Sequence, residues 1–155
     1  MRFIRNLAPP VVVLFSCVWL GCLIMTLATV ITLFGTDRDL AVQAAPILFG
    51  TFEPIGLGLA VITWVFSLVW AWTSASKRLW TMSGALVSAL ILVGAQFLGV
   101  SFTIDRLRVA GQADGEAFDR LHQLANFLYL GQGLCVVLAV LLAMHAFRRD
   151  PACRL

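Results

Sequence analysis

Four long apolar runs, separated by short charged segments, fill most of this chain of 155 residues and cover residues 7–34, 47–73, 79–102 and 124–147. About 20 helical residues cross a hydrocarbon core about 30 Å thick, so each run is long enough to span a membrane. Charged residues make up only 12% of the chain, about half of what a soluble domain carries. The sequence therefore predicts an all-α, four-transmembrane-helix bundle, with residues 1–155 forming a single integral membrane domain.

The basic residues are divided unequally between the two sides that alternating spans create. One side receives Arg2, Arg5, Lys77, Arg78, Arg148, Arg149 and Arg154, and the other receives Arg38, Arg106, Arg108 and Arg120. Loops rich in Lys and Arg stay in the cytoplasm. We therefore expect both termini to be cytoplasmic. The short loops and compact size favour a bacterial inner (plasma) membrane.

Two connections have more than one interpretation. Residues 37–54 contain Pro46 and Pro54, which predict a short interfacial helix followed by a break, although the segment could also extend the second span. Asp37 and the residues after it are a plausible helix cap. Residues 103–120 predict an ordered loop or a short amphipathic helix, and the fourth helix is expected to begin near Asp114, outside the membrane.

Three tryptophans flank the basic pair at positions 77–78. They are Trp70, Trp72 and Trp80. Tryptophan is enriched where a membrane meets water. The pattern therefore predicts an interfacial aromatic belt.

The fourth span carries polar residues at intervals of three or four, which places them on one helical face. Together with two polar residues of other spans they form a candidate functional polar cluster: His122, Asn126, Tyr129, Gln132, Glu53 and Gln96. Such a cluster can provide a proton path, a heme or metal ligand, or a quinone pocket. The simpler interpretation is hydrogen bonding between helices that holds the bundle together. Gly131 and Gly133 predict a close approach of another helix.

Glu53 is the acidic residue closest to the middle of a span, and we expect it either to pair with His122 or Arg120 or to reach the membrane interface. Gln96 could join the same cluster. His122 and His145 are separated by 23 residues, roughly 34 Å of helix, so they cannot bind one metal ion together. We predict no metal site, no catalytic residues and no cofactor, with heme at His122 as an alternative.

The stretch FDRLHQLANFLYLGQGL, residues 118–134, resembles the last-span signature of the transmembrane-protein-205-like family, which is defined by domain of unknown function 4149. Phe118, His122, Ala125 and Asn126 carry the similarity, and residues 104–108 and 19–21 are similar to other family segments. A more distant similarity is to the membrane domain of copper-resistance protein D. The resemblance implies a small four-helix membrane protein and no particular activity.

These observations predict a small membrane protein without enzyme activity that acts as an accessory, assembly or scaffolding subunit through helix contacts within the membrane. Its partners would be the lipid bilayer and another membrane protein or further copies of itself, and not nucleic acid. One alternative is a small transporter or channel component with a polar path on the fourth helix. Another is a redox protein that binds heme, copper or a quinone.

Overall fold

The computed structural model describes residues 2–74, 76–111 and 115–149, which form helices joined by short turns. The helices are α1 (Arg2–Thr36), α2 (Arg38–Ser74), α3 (Lys77–Ala95), α4 (Phe102–Val109) and α5 (Glu116–Arg149). A π-helical stretch, Gln96–Ser101, joins α3 to α4 and is called the π segment below. Over the described ranges the chain contains no β-strand and four helices that are long and apolar enough to cross a membrane. The predicted all-α architecture with four long apolar helices is thus confirmed.

Four long helical rods form a ring of antiparallel neighbours. They are α1, α2, the continuous unit of α3, π segment and α4, and α5. α1 packs against α2 and α5, and α3 packs against α2 and α5, with the contact between α1 and α5 the least extensive of the four. Short turns impose the antiparallel order. At one turn, Asp37 Oδ1 accepts hydrogen bonds from the backbone N–H groups of Asp39 and Leu40, both at 3.0 Å. Asp37 therefore caps α2, as its position in the sequence predicts.

The helix break predicted within residues 37–54 does not occur. α2 runs without interruption through Pro46 and Pro54, so the alternative in which this segment extends the second span is the correct one. Each proline removes one backbone donor and leaves the carbonyl four residues earlier without its helical partner. A helix tolerates this loss when its neighbours constrain it, and α2 has an extensive contact with α1 that does so.

Within the polar segment 103–120, residues 103–109 and 116–120 extend two of the long helices instead of forming a separate loop. The rod that begins at Lys77 continues through the π segment to Val109. Gly111 follows with a φ of 71°, a left-handed conformation that glycine adopts at little cost. α5 begins at Glu116, and Asp114, the predicted start, lies outside the described residues.

The packed core combines a few large side chains with many alanines. Trp19, Trp70, Met82, Leu86 and Val136 are fully buried. Around them lie buried alanines on all four rods, which allow the helix backbones to approach closely. They are Ala8, Ala60, Ala71, Ala85, Ala89, Ala139 and Ala143.

The predicted tryptophan belt is only partly correct. Trp72 and Trp80 are exposed at 76% and 46%, whereas Trp70 is fully buried. Residues 70 and 72 are separated by about 200° around a helix, so the two side chains must point in different directions. Trp70 therefore belongs to the core and Trp72 to the surface.

One of the two glycines predicted to allow close helix approach does so. A Cβ added to Gly131 would lie 3.2 Å from Leu92 Cδ1 of α3, whereas a Cβ added to Gly133 would meet nothing within 4 Å. The approach of α5 to α3 thus depends on position 131 and not on position 133.

The two neighbouring tryptophans of α2 provide a test of this packing. Trp70→Ala should lower the free energy of unfolding in detergent by about 3 kcal/mol, because it leaves a cavity in the core. Trp72→Ala, at the exposed position, should change it by less than about 0.5 kcal/mol. Thermal unfolding followed by circular dichroism measures both, and equal losses would contradict the burial assigned to Trp70.

Candidate functional site

A cavity of about 840 Å³ opens at the end of the ring that carries α4, called the α4 end below. The C-terminal part of α1, the N-terminal parts of α2 and α5, the π segment and α4 all contribute to its lining. Its walls are mainly apolar and include Leu27, Ile31, Phe49, Phe97 and Leu130. Glu53, Gln96 and Ser101 place polar groups among them. The cavity is thus an amphipathic space within the bundle.

A chain of hydrogen bonds links three rods beside this cavity. Ser101 Oγ donates to Glu53 Oε1 at 2.7 Å, and Gln96 Nε2 donates to the same oxygen at 3.0 Å. Gln132 Nε2 in turn donates to Gln96 Oε1 at 2.9 Å. Glu53, Gln96 and Gln132 are exposed by 6%, 2% and 1%. The chain therefore joins α2, the π segment and α5 through buried side chains.

The π segment explains how two of its residues reach one carboxyl oxygen. In an α-helix, positions 96 and 101 are about 140° apart around the axis, because each residue turns about 100°. In a π-helix the hydrogen bonds run from i to i+5, so residues five apart lie on the same side of the helix. Gln96 and Ser101 are the first and last residues of the π segment. The wider turn thus directs both donors to Glu53.

Glu53 Oε2, the second carboxyl oxygen, differs from Oε1. Oε2 makes no hydrogen bond to any side chain or backbone group in the described ranges. It is also not fully buried, unlike Ser16 Oγ and Trp19 Nε1, which lack a partner in those ranges as well. Glu53 lines the cavity. Oε2 is therefore the oxygen that a molecule in the cavity can reach.

A backbone hydrogen-bond acceptor, the carbonyl of Gly50, lies about one helical turn before Glu53 on α2. Pro54 has no N–H, so the carbonyl of Gly50 lacks its helical donor. Gly50 also lines the cavity. Pro54 thus leaves a free carbonyl acceptor on the part of α2 that carries Glu53.

An aromatic pair lines the cavity between α2 and α5. The rings of Phe49 and Tyr129 meet edge to face, with centroids 5.7 Å apart and planes at 84°. The Tyr129 hydroxyl lies beside the side chain of Thr26 on α1. Tyr129 therefore presents an aromatic ring to the cavity while its polar end faces a neighbouring helix.

The charged residues at the α4 end form their own contacts. Arg108 pairs with Asp105 at 3.7 Å, and Arg120 pairs with Glu116 at 2.5 Å. The guanidinium of Arg106 lies 4.4 Å from the centre of the Phe102 ring. These contacts keep three basic side chains on α4 and the first turns of α5.

His122 and Asn126 line the cavity from exposed positions on α5. The His122 ring stacks on Phe118, with centroids 5.8 Å apart and planes at 17°. The predicted pairing of Glu53 with His122 or Arg120 is therefore wrong for this structure. Glu53 bonds instead to Gln96 and Ser101, because the π segment brings these donors closer.

The six residues of the predicted polar cluster thus fall into two groups. Glu53, Gln96 and Gln132 form one buried chain, whereas His122, Asn126 and Tyr129 line the cavity without joining it through a hydrogen bond in the described part of the protein. Ser101 was missed from the sequence. The sequence feature that could have identified Ser101 is its spacing of five residues from Gln96. This spacing places both residues on one helical face only in a π-helix.

Beyond this chain, toward the opposite end of the ring, the buried residues next in line are apolar, and the nearest buried hydrogen bond between side chains that the structure describes is the separate pair Ser67–Ser83. Val93 and Val136 lie one turn past Gln96 and Gln132 and are buried. Ser16 Oγ and Trp19 Nε1 are buried there without a hydrogen-bond partner among the described residues. The polar contacts therefore do not continue as a hydrogen-bonded path through the bundle.

His145 lies far from this site. Arg78 donates a hydrogen bond of 2.6 Å to His145 Nε2 at the opposite end of the ring. Among the residues that the structure describes, no three His, Cys, Asp or Glu side chains gather closely enough to hold a metal ion. His122 and His145 lie at different ends, as the helix length requires.

Comparison with known proteins gives no match to any family model, curated protein or solved structure. The resemblance of residues 118–134 to the transmembrane-protein-205-like family stays a prediction.

The buried chain can be tested by removing its central residue. Gln96→Leu should lower the free energy of unfolding by about 1–3 kcal/mol, because it removes two hydrogen bonds and leaves the Gln132 amide unpaired. The double variant Gln96→Leu/Gln132→Leu should be destabilised by less than the sum of the single variants. Ser88→Ala is the control, since Ser88 is exposed and its hydroxyl donates to the carbonyl of Gly84 within its own helix. Strict additivity of the two substitutions would contradict the Gln96–Gln132 bond.

Proposed function

We propose that this protein is a membrane-embedded binding protein for a lipid-soluble small molecule with a polar head. The observation that carries the proposal is the cavity at the α4 end, which combines apolar walls with a buried carboxyl group. Ligand sites in proteins are concave and mostly apolar, and a few well-placed polar groups fix the orientation of the ligand. Ionisable residues within a span are costly and for that reason point to function.

The shape of the site favours binding over passage. The hydrogen-bonded chain is confined to one end, and the buried side chains one turn beyond Gln96 and Gln132 are the apolar Val93 and Val136. A channel or carrier that used the predicted polar path would need polar groups or water on both sides of this barrier. A site that is entered from one end and closed at the other fits a receptor for a ligand.

The depth of the site follows from helix geometry. Gln96 lies 19 residues from Lys77 and 10 residues from Arg106, roughly 28 Å and 15 Å along the rod. We propose that both termini are cytoplasmic and that the membrane is a bacterial inner membrane, as the distribution of basic residues favours. The cavity then belongs to the outer half of the membrane and opens away from the cytoplasm.

The proposed orientation can be measured with introduced cysteines. In a background from which the four natural cysteines are removed, a cysteine at Ala110, which is exposed, should react with an impermeant maleimide added to intact cells. A cysteine at Ser76 should react only after the membrane is broken, because it lies in the turn at the opposite end of the ring. The reverse pattern would contradict cytoplasmic termini.

Filling the cavity tests the binding proposal. Ala125→Trp introduces a large side chain at a lining position. It should reduce the fraction of protein that carries bound dodecanol, measured by native mass spectrometry, by about tenfold. Leu134→Trp is the matched control on the same helix, because Leu134 is 73% exposed and does not line the cavity. Absence of saturable dodecanol binding to the natural protein, or an equal loss in both variants, would contradict the proposal.

A second proposal is that the protein is an accessory subunit of a larger membrane complex. The observation that favours it is a group of exposed apolar side chains around the turn between α1 and α2, next to charged Asp37 and Asp39. The group comprises Phe34, Leu40, Val42 and Ile47. Partner chains that remain bound when the protein is extracted from its native membrane in a mild detergent would support this role, whereas a free monomer would oppose it.

A further inference from the structure

Among the residues that the structure describes, the buried carboxyl group of the cavity has no positively charged partner. Each basic side chain near it has another contact: Arg108 with Asp105, Arg120 with Glu116, Arg106 with Phe102, and His122 with Phe118. Both hydrogen bonds to Glu53 come from neutral groups, an amide and a hydroxyl. A carboxylate among apolar walls within a membrane is costly unless it is paired.

We propose that the polar head of the ligand is an ammonium group that binds Glu53 Oε2. This inference rests on the proposed binding function and specifies the class of ligand. An ammonium group supplies the missing positive charge together with N–H donors. Oε2 is the reachable carboxyl oxygen, and the carbonyl of Gly50, freed by Pro54, offers a second acceptor on the same stretch of α2.

The aromatic lining agrees with this chemistry. Phe49 and Tyr129 form an edge-to-face pair in the cavity, and Phe34 and Phe97 also line it. Aromatic faces attract ammonium groups, most strongly where water is excluded. A negative carboxylate among aromatic rings favours a cation over a neutral or anionic head group.

The apolar stem of the ligand has a route out of the ring. Leu27 and Ile31 of α1 and Leu130 of α5 line the cavity and are 43%, 62% and 58% exposed. They lie on the two helices whose mutual contact is the least extensive. An alkyl chain can therefore extend between α1 and α5 into the lipid while its ammonium group stays at Glu53.

Three probes with the same alkyl chain separate this inference from the proposal on which it rests. Dodecylamine, dodecanol and dodecanoic acid are titrated against the purified protein in a non-ionic detergent, and bound probe is measured by native mass spectrometry. We expect dodecylamine to bind about tenfold or more tightly than dodecanol, and dodecanoic acid to bind most weakly. If dodecanol binds and dodecylamine binds no better, the ammonium assignment is overturned while the cavity remains a binding site. If no probe binds, both proposals fail.

Glu53→Gln is the decisive variant. Its amide oxygen can still accept the hydrogen bonds of Gln96 and Ser101, so the fold should persist, which an unchanged unfolding temperature verifies. The preference for dodecylamine over dodecanol should fall to about onefold, because dodecylamine loses much more affinity than dodecanol does. Glu53→Asp keeps the charge and should retain part of the preference, which covers the case in which Glu53→Gln does not fold. An amine preference that survives in Glu53→Gln would overturn the inference.

The ammonium group can come from a lipid or from a free amine, and one more measurement distinguishes the sources. Delipidated protein is offered an equimolar mixture of phosphatidylethanolamine and phosphatidylglycerol. Retention of phosphatidylethanolamine that is lost in Glu53→Gln identifies a lipid head group as the ligand. Glu53-dependent binding of dodecylamine without selective lipid retention identifies a free amphipathic amine.

Discussion

The hydrogen bonds that converge on Glu53 are the interaction on which the α4 end of the bundle depends. In the membrane setting that we propose for this protein, helices gain little from burying apolar surface against one another, so van der Waals packing and hydrogen bonds between helices determine their arrangement. The chain from Ser101 through Glu53 and Gln96 to Gln132 joins three of the four rods. The chain lies beside the cavity, where the rods cannot pack closely against one another. Its hydrogen bonds therefore replace part of the missing side-chain contact between the rods.

The two ends of the ring are held by different means. Toward the opposite end, buried alanines let the helices approach closely, and a hydrogen bond of 3.0 Å between Ser67 and Ser83 adds a link between α2 and α3. Toward the α4 end, larger aromatic and aliphatic side chains line an open space, and buried polar side chains connect the rods around it. The cavity is therefore a consequence of which residues face the centre at each level. A rigid packed half supports a half that is open enough to bind a ligand.

The fold follows from the sequence more readily than the site does. Length and hydropathy predict four helical rods, and Asp37 predicts the start of α2, because these signals act within a few residues of the chain. The continuity of α2 through Pro46 and Pro54 depends on contact with α1, which a single segment does not reveal. Trp70 was assigned to the surface because its neighbours in sequence are interfacial, although its direction around the helix places it in the core. Glu53, Gln96 and Gln132 could be selected as costly polar residues, but their partners could not, because an α-helical register puts Ser101 on a different face from Gln96.

The π segment connects the local backbone to the properties of the site. Conversion of residues 96–101 to an α-helix would place Ser101 about 140° around the axis from Gln96 and remove one of the two donors from Glu53 Oε1. It would also rotate α4, and with it Asp105 and Arg108, which line the same cavity. A π turn costs some backbone hydrogen-bond quality, and here the loss is offset by a bond to a carboxyl group that would otherwise be solvated poorly. The backbone irregularity, the buried carboxyl group and the open oxygen Oε2 therefore form one arrangement, in which the protein fixes one side of the carboxyl group and leaves the other side to the cavity.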